Sequence, residues 1–256
     1  MMSVCAADWA VWSAESPWPA LPDDEVHVWR VALCDESGDI ARGLGVLSPE
    51  ERARAARFHQ AADRERYVVA HLALRTVLGG YLGRAPGALR FVAAASGKPR
   101  LVKAAAAVDL RFSLAHSGQL ALCAVARGRE VGVDVERIGR SSDLIASVQQ
   151  VLAPDEQRAL ERIAAPQREV AFYRLWTCKE AWLKATGEGL MRAPDSFSIG
   201  GAAEGVPRLL WVHGRPAEID KWSLLTLDPQ PGYAAALAVE GTGWRVRLIE
   251  LSRLLS

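Results

Sequence analysis

Residues 130–138 read EVGVDVERI, and residues 172–190 read FYRLWTCKEAWLKATGEGL. In the first stretch, valines alternate with glycine and acidic residues, which predicts a strand with one apolar face. In the second stretch, apolar residues recur at helical spacing, and Gly187 and Gly189 predict the end of the helix. A strand followed by a long helix is therefore the unit from which the fold is predicted.

The same order of elements occurs in the first half of the chain. Residues 25–28, EVHV, resemble residues 130–133, EVGV, at an offset of 105. Residues 47–51, LSPEE, resemble residues 152–156, LAPDE, at the same offset. Two further matches have slightly larger offsets, namely Tyr67 with Tyr173 and residues 121–125 with residues 235–239. Matches that keep one order along the chain indicate an internal duplication.

The duplication predicts an α+β fold of two similar repeats related by a pseudo-two-fold axis, with the active site in the cleft between them. We assign residues 25–128 to the first repeat and residues 129–256, which include a C-terminal tail, to the second. Residues 1–24 contain prolines and tryptophans without periodicity and are predicted to form an irregular arm. Ser48 and Glu51 fit the capping box of a first helix.

The composition is that of an ordinary soluble protein. Hydrophobic residues make up 50% of the chain, charged residues 24%, and the net charge is +1, which provides no overall attraction to nucleic acid or to an anionic membrane. No C-x-x-C pair occurs, so zinc and a disulfide framework are disfavoured, and reduced thiols are expected at Cys5, Cys34, Cys123 and Cys178. The N-terminus does not fit a signal peptide, and the apolar runs are too short to span a bilayer, which predicts a cytoplasmic protein.

Four charged residues within the two quoted stretches are candidates for catalysis or metal binding. Asp134 and Glu136 share the polar face of the predicted strand, and Glu180 and Lys184 lie one helical turn apart outside the apolar stripe. Taken alone, these pairs also fit a solvated strand face and an exposed helical ion pair. A third carboxylate beside the two strand acids would form a hard-oxygen site for Mg²⁺ that bridges to a pyrophosphate. No histidine or cysteine cluster indicates zinc or iron.

Further candidates lie in the first repeat. Lys98 follows a predicted turn, so its ammonium could meet a phosphate, and His116 lies at a strand end before a polar turn whose N–H groups could face an anion. The predicted helical hairpin is basic because of Arg54, Arg57, Arg64 and Arg66. Ordinary surface charge is the alternative for each of them. Ser117 lacks the G-x-S-x-G sequence of a nucleophile elbow.

Taken together, these segments resemble the phosphopantetheinyl transferase superfamily, specifically its long, monomeric, surfactin-synthetase-activating type. The signature of that family is G-[IV]-D-[IV]-E followed by W-x-x-K-E-A-x-x-K, and here residues 132–136 read GVDVE and residues 176–184 read WTCKEAWLK. The resemblance covers about residues 47–240. Supporting matches are SGKP at 96–99, FSLAHSG at 112–118, GEGL at 187–190 and DSFSI at 195–199.

The resemblance implies a two-copy α+β fold, coenzyme A as donor, Mg²⁺ as cofactor, and an apo acyl-, peptidyl- or aryl-carrier domain as acceptor. It implies that Asp134, Glu136 and Glu180 bind the metal and that Lys184 lies near the phosphates. The residues it assigns to coenzyme A are Arg66, Lys98, Pro99, His116 and Lys184. Two departures affect the nucleotide contacts: Ala115 stands where relatives often have serine, and Glu51 stands where some have lysine, which leaves Arg54 as the cation of the first helix.

The implied enzyme is a 4′-phosphopantetheinyl transferase of the holo-acyl-carrier-protein synthase type, which releases 3′,5′-ADP. Glu180 is the predicted base for the carrier serine, and Lys184 is predicted to stabilise charge on the phosphate oxygens. One alternative is another Mg²⁺-dependent phosphate-transfer enzyme, although no Walker-type loop is present. The other is a non-catalytic protein that binds coenzyme A or a carrier, which would not require the three acids and Lys184.

Overall fold

The computed structural model describes residues 9–13, 16–33, 39–94, 97–102, 108–139, 152–203 and 205–252. Its helices are α1 Asp39–Val46, α2 Pro49–Ala55, α3 Ala61–Leu82, α4 Pro154–Glu161 and α5 Ala165–Thr186. Its strands are β1 Ala10–Trp12, β2 Glu25–Ala32, β3 Phe91–Ala93, β4 Pro99–Leu101, β5 Leu110–Ser117, β6 Leu120–Arg127, β7 Val131–Arg137, β8 Phe197–Gly200, β9 Arg208–Val212, β10 Trp222–Leu227, β11 Tyr233–Glu240 and β12 Arg245–Leu251. The predicted α+β class is confirmed.

The sheets repeat one topology. Within the described residues, β1-β12-β2-β6-β5 form a five-stranded sheet, β10-β11-β7 form a three-stranded sheet, and β3–β4 and β8–β9 form hairpins. The antiparallel triplet β2-β6-β5 of the first sheet recurs as β7-β11-β10 in the second. Each triplet carries a 22-residue helix, α3 or α5, between its first two strands in the sequence. The repeated order supports the duplication, and the pseudo-two-fold axis stays a prediction.

The two ends of the chain differ from the sequence interpretation. The strand β1 lies inside the arm that was predicted to be irregular and runs parallel to β12, which in turn runs parallel to β2. The strand β12 therefore belongs to the first sheet, although its residues fall in the stretch assigned to the second repeat. A three-residue strand is too short to show a periodic pattern, and pairing between chain ends is a long-range contact that local spacing does not encode. The other repeat boundaries stay a prediction.

Three apolar clusters hold the layers together. The helix α3 packs on the outer face of the first sheet, where Trp29 and Leu78 are fully buried. The helix α5 packs on the outer face of the second sheet through Trp182. The inner faces of the two sheets meet in a third cluster that includes Val133. The order of layers is therefore helix, sheet, sheet, helix. Within the described ranges, no helix has the length and hydropathy needed to cross a bilayer.

The described cysteines lie inside these layers. Cys123 and Cys178 are buried free thiols. Burial raises the pKa of both thiols, so they stay protonated at neutral pH. Cys5 and Cys34 lie outside the described residues.

The two sheets also meet edge to edge, through serine side chains. The strand β5 forms an edge of the first sheet, and β7 forms an edge of the second. Ser113 Oγ accepts the N–H of Val133 at 3.1 Å, and Ser117 Oγ accepts the N–H of Arg137 at 3.1 Å. Both contacts span 20 residues, so β5 and β7 run in the same direction. The end of β5 is thereby fixed beside the acidic part of β7.

In each repeat, a buried ion pair ties the long helix to the short helix before it. Glu51 accepts the N–H of Ser48 at 2.7 Å and the Nε–H of Arg75 at 2.9 Å. Glu156 accepts the backbone N–H that precedes α4 at 2.9 Å, and Lys179 Nζ donates to its two oxygens at 2.7 and 2.8 Å. The glutamate in the first turn of each short helix therefore also fixes the long helix. In the second repeat that helix is α5, which carries Glu180 and Lys184.

Candidate active site

One face of β7 lies against α5. Val131 and Val133 point into the cluster between the two sheets, so Gly132 and Asp134 point the other way. A Cβ built on Gly132 would lie 2.0 Å from the carbonyl oxygen of Ala181, which places the backbone of α5 directly over this part of the strand. The close approach brings Asp134 next to the last turns of α5.

Asp134 is a buried acid with one oxygen left without a donor. Its side chain pairs with Lys184, whose Nζ donates to Oδ1 at 2.6 Å. Its Oδ2 is buried and has no hydrogen-bond partner among the described residues. Burial raises the pKa of Asp134 to about 7, Glu136 and Glu180 add to the rise, and Lys184 opposes it. A buried carboxylate oxygen without a donor is suited to a cation.

Glu136, Glu180 and Lys184 interact electrostatically with Asp134 and with one another. Burial raises the pKa of Glu180, Lys184 opposes that rise, and Glu136 adds to it. Burial disfavours the charge on Lys184, but Asp134, Glu180 and Glu136 outweigh this effect and raise its pKa. Within the part of the chain that the structure describes, no three Asp, Glu, His or Cys side chains converge closely enough to hold a metal as they stand. A metal held by Asp134, Glu136 and Glu180 would therefore require these side chains to move.

Glu136 is contacted from the first repeat. Ser117 Oγ donates to Glu136 Oε2 at 2.7 Å while it accepts the N–H of Arg137. Ser117 is only 3% exposed, so it is held in place by the two sheets and is not free to act as a nucleophile. Sequence reasoning dismissed Ser117 as a nucleophile and did not find this structural role. The alternation in β5 places Ser113 and Ser117 on one face, which is the signal that could have indicated it.

The arginines predicted to contact coenzyme A lie on α2 and α3. Arg54 is exposed, and its guanidinium lies 6.0 Å from the ring centre of Tyr67. Arg66 forms an ion pair with Asp63 on the same helix. Both cations contact neighbours within the first repeat, and their approach to coenzyme A stays a prediction.

The remaining predicted coenzyme A residues lie on β4 and β5 or just before them. His116 is exposed. Burial lowers the pKa of His71 to about 4, and the electrostatic effect of His116 adds to that lowering. Pro99 begins β4 and is exposed. The ammonium of Lys98 donates to Glu130 and to two backbone carbonyls. Whether these residues contact coenzyme A also stays a prediction.

The duplicated positions in the first repeat do not form a second acidic site. The positions that correspond to Asp134, Glu180 and Lys184 hold Trp29, Leu74 and Leu78, and these three residues are buried in the cluster under α3. The acidic cluster around Asp134 is therefore not repeated at the corresponding positions of the first repeat.

Gly132→Ala tests the contact between β7 and α5. The added methyl group would collide with two backbone atoms of α5, the oxygen of Ala181 at 2.0 Å and the nitrogen of Ala185 at 2.4 Å. Because backbone atoms of a packed helix yield less than a side-chain tip, we expect the free energy of unfolding to fall by at least about 1–3 kcal/mol. Urea denaturation measures it. As a control, Gly45→Ala on α1 meets nothing within 4 Å and should be neutral or gain up to about 1 kcal/mol. Equal stability of the Gly132 variant and the wild type would contradict the close approach.

Both halves of the chain match known protein families. Residues 130–238 match the family described as the 4′-phosphopantetheinyl transferase superfamily, and residues 36–127 match the family described as 4′-phosphopantetheinyl transferase, N-terminal. The chain is 37% identical to the 4′-phosphopantetheinyl transferase HetI of Nostoc sp., over 91% of this chain and 95% of that protein. It is 28% identical to the 4′-phosphopantetheinyl transferase Sfp of Bacillus subtilis, over 62% of this chain and 68% of that protein. A holo-ACP-synthase structure from Plasmodium yoelii aligns at a TM-score of 0.35 and 19% identity, over 44% of this chain and 94% of that one.

These relatives identify the two-repeat α+β chain as a transferase. The chain belongs to the 4′-phosphopantetheinyl transferase superfamily, and its relatives place it in the Sfp type. The family resemblance derived from residues 132–136 and 176–184 is confirmed.

Proposed function

We propose that this protein transfers the 4′-phosphopantetheine group of coenzyme A to a serine of an apo acyl-, peptidyl- or aryl-carrier domain and releases 3′,5′-ADP. The observation that carries the proposal is the buried Asp134, paired with Lys184 on one oxygen and left without a donor on the other. In a phosphopantetheinyl transferase, such an acid and ammonium are suited to a phosphate and its counter-cation. The narrower holo-acyl-carrier-protein synthase assignment and a monomeric state are part of the same proposal.

The residues at the site fit Mg²⁺. Mg²⁺ prefers a few carboxylates together with water and phosphate oxygens, and the buried Oδ2 of Asp134 is one such oxygen without a donor. Asp134, Glu136 and Glu180 would hold the ion. When bound, it supplies positive charge against the phosphate oxygens.

Two side chains of the protein, Glu180 and Lys184, carry out the proton transfer and the charge stabilisation. The carrier serine oxygen forms a bond to the β-phosphorus of coenzyme A, and the bond from that phosphorus to the bridging oxygen breaks. Glu180 accepts the serine proton, either directly or through a water molecule, because burial raises its pKa and makes its carboxylate a stronger base. Lys184, whose pKa is raised, stays protonated and stabilises charge on the leaving 3′,5′-ADP.

The first repeat would bind the nucleotide part of coenzyme A. Arg54, which is cationic, and His116, which is titratable, are both exposed on the first repeat. Arg66 would exchange its ion pair with Asp63 for one with a phosphate. Binding in the cleft would then place the donor between the two repeats, with the acids of β7 and α5 on the opposite side.

The direct test mixes the purified protein with coenzyme A, Mg²⁺ and an apo carrier domain, and then weighs the carrier by mass spectrometry. We expect the carrier to gain one phosphopantetheine group, and a carrier whose acceptor serine is replaced by alanine to gain none. Coenzyme A binding without mass gain on acyl, peptidyl and aryl carriers would instead indicate a non-catalytic binding protein. Transfer of a different phosphate-bearing group would indicate another Mg²⁺-dependent enzyme.

The pH profile of single-turnover transfer separates the roles of Glu180 and Lys184. Because a base acts only when deprotonated, the wild-type rate should rise with pH through an apparent pKa set by the Glu180 carboxylate together with its metal. Glu180→Gln should lose that rising limb. Lys184→Met should keep the limb and lower the rate about 100-fold or more, by analogy with the loss of an oxyanion donor. A Glu180→Gln enzyme with the wild-type limb would remove Glu180 as the base.

A further inference from the structure

The ammonium of Lys98 is fully engaged within the protein. Its Nζ donates to Glu130 Oε2 at 3.0 Å, to the carbonyl oxygen of Val131 at 2.9 Å and to the carbonyl oxygen of Ala185 at 3.0 Å. A lysine ammonium has three N–H donors, so these acceptors use all of them. The side chain is only 9% exposed. A phosphate could reach this ammonium only by displacing a protein acceptor.

The acceptors of Lys98 belong to the second repeat, whereas Lys98 lies just before β4 in the first. Ala185 is in the last turn of α5, where carbonyl groups lack partners inside the helix and where the helix dipole is negative. Lys98 therefore caps the C-terminal end of α5 from the other repeat. The capped turn immediately follows Lys184 and lies less than two turns from Glu180.

Glu130 holds Lys98 at this position. Its carboxylate contacts Lys98 on one oxygen and two arginines on the other, with Arg100 and Arg111 both at 2.7 Å. Burial lowers the pKa of Lys98, and Glu130 opposes that effect. Glu130 directly precedes β7, so one carboxylate joins β4, β5, β7 and, through Lys98, the end of α5.

We infer that Lys98 and Glu130 form a clamp between the repeats, which positions α5 for the reaction, and that the Lys98 ammonium is not a phosphate ligand. We refer to these two residues as the clamp. The inference rests on the proposed function, since α5 carries Glu180 and Lys184. Lys98 is then a positioning residue that acts through α5.

An anion site is the competing explanation. Lys98 also lines a cavity of about 480 Å³ on the side of β4 and β5, and other cations line the same cavity, namely Arg84, Arg90, Arg100 and Arg111. If a phosphate of coenzyme A entered there, loss of Lys98 would weaken coenzyme A binding. The clamp instead predicts that coenzyme A binding is retained and that turnover falls.

The test compares Lys98→Met, Glu130→Gln and the double variant with the wild type. Arg84→Gln is the matched control, because Arg84 is an exposed cation at the same cavity. The measurements are kcat and the KM for coenzyme A in carrier modification, and hydrogen–deuterium exchange of the last turn of α5. We expect each single variant to lose about 10- to 100-fold in kcat, since small displacements of positioned groups have effects of that size, with KM changed by less than about 3-fold.

The double variant should be no slower than the slower single variant, because each substitution alone already breaks the clamp between Lys98 and Glu130. Exchange at the end of α5 should be faster in all three variants, and Arg84→Gln should match the wild type. A KM for coenzyme A raised about 10-fold or more in Lys98→Met, but not in Glu130→Gln, would overturn the inference in favour of a phosphate ligand. Unchanged kcat and exchange in both single variants would overturn it as well. A wild type that transfers nothing defeats the proposed function, and the exchange data then still decide whether the clamp holds α5.

Discussion

Asp134→Asn is expected to lower transfer by about 1000-fold or more and, in the metal-free protein, to raise stability above neutral pH. The loss of transfer follows because the charged oxygens that are proposed to face a cation, and that pair with Lys184, become neutral. Cation chemistry of this kind supplies several kcal/mol of transition-state stabilisation. Asparagine keeps the shape of the side chain and an oxygen for Lys184. The fold should therefore be unchanged.

The stability gain depends on pH with a definite sign. Burial raises the pKa of Asp134 from its ordinary value of 3.8 to about 7. The folded state therefore holds a proton that the unfolded state has released, and wild-type stability falls as pH rises from about 4 to about 7. A pKa difference of that size corresponds to about 4 kcal/mol, and loss of the attraction to Lys184 offsets part of it. We expect Asp134→Asn to be about 1–3 kcal/mol more stable than the wild type at pH 8 and equal to it near pH 4.

Chemical denaturation in the presence of a chelator measures this difference at both pH values. Asp228→Asn is the control, because Asp228 is a surface acid, 44% exposed, that faces Arg174 at 3.6 Å. That variant should change stability by no more than about 0.5 kcal/mol and should keep full transfer. Near wild-type transfer by Asp134→Asn with Mg²⁺ present would show that the metal and phosphate assignment is wrong.

Lys179→Met is expected to cost about 3–5 kcal/mol of unfolding free energy, because it leaves a buried carboxylate without its partner. Lys179 and Glu156 are both buried, and the ammonium also donates to the carbonyl oxygen of Phe197 at 2.9 Å. Burial lowers the pKa of Lys179 and raises that of Glu156, so each charge is retained only because the other is present. Urea denaturation at pH 7 measures the loss.

Lys184→Met is the matched control for that experiment, since it makes the same substitution five residues later on the same helix. Its side chain is 32% exposed, and we expect the substitution to abolish most transfer. The stability change should be smaller than for Lys179→Met, because the pKa of Asp134 is already raised to about 7 and this carboxyl can take up a proton when Lys184 is lost. Adding Glu156→Gln to Lys179→Met should recover part of the lost stability, because the uncompensated charge is removed. If Lys179→Met unfolds at the wild-type urea concentration, the buried pair does not anchor α5.

Local sequence patterns predicted most of the elements around the site. Alternating valines predicted β7, helical spacing and Gly187 predicted the end of α5, and the Ser48 capping box predicted the start of α2. These features depend on neighbours within a few residues, so the sequence contains their causes directly. The duplication predicted the order of elements, because both copies repeat it.

By itself, the sequence determined the α+β class, the family and the identity of the acidic strand and its partner helix. Tertiary structure alone decided which lysine of residues 176–184 is buried as an anchor and which faces Asp134. It also decided that the ammonium of Lys98 donates to acceptors in the second repeat, and that β12 joins the first sheet between β1 and β2. Burial, charge pairing and strand pairing depend on residues far apart in the chain, and spacing along the sequence does not specify which distant group each side chain meets.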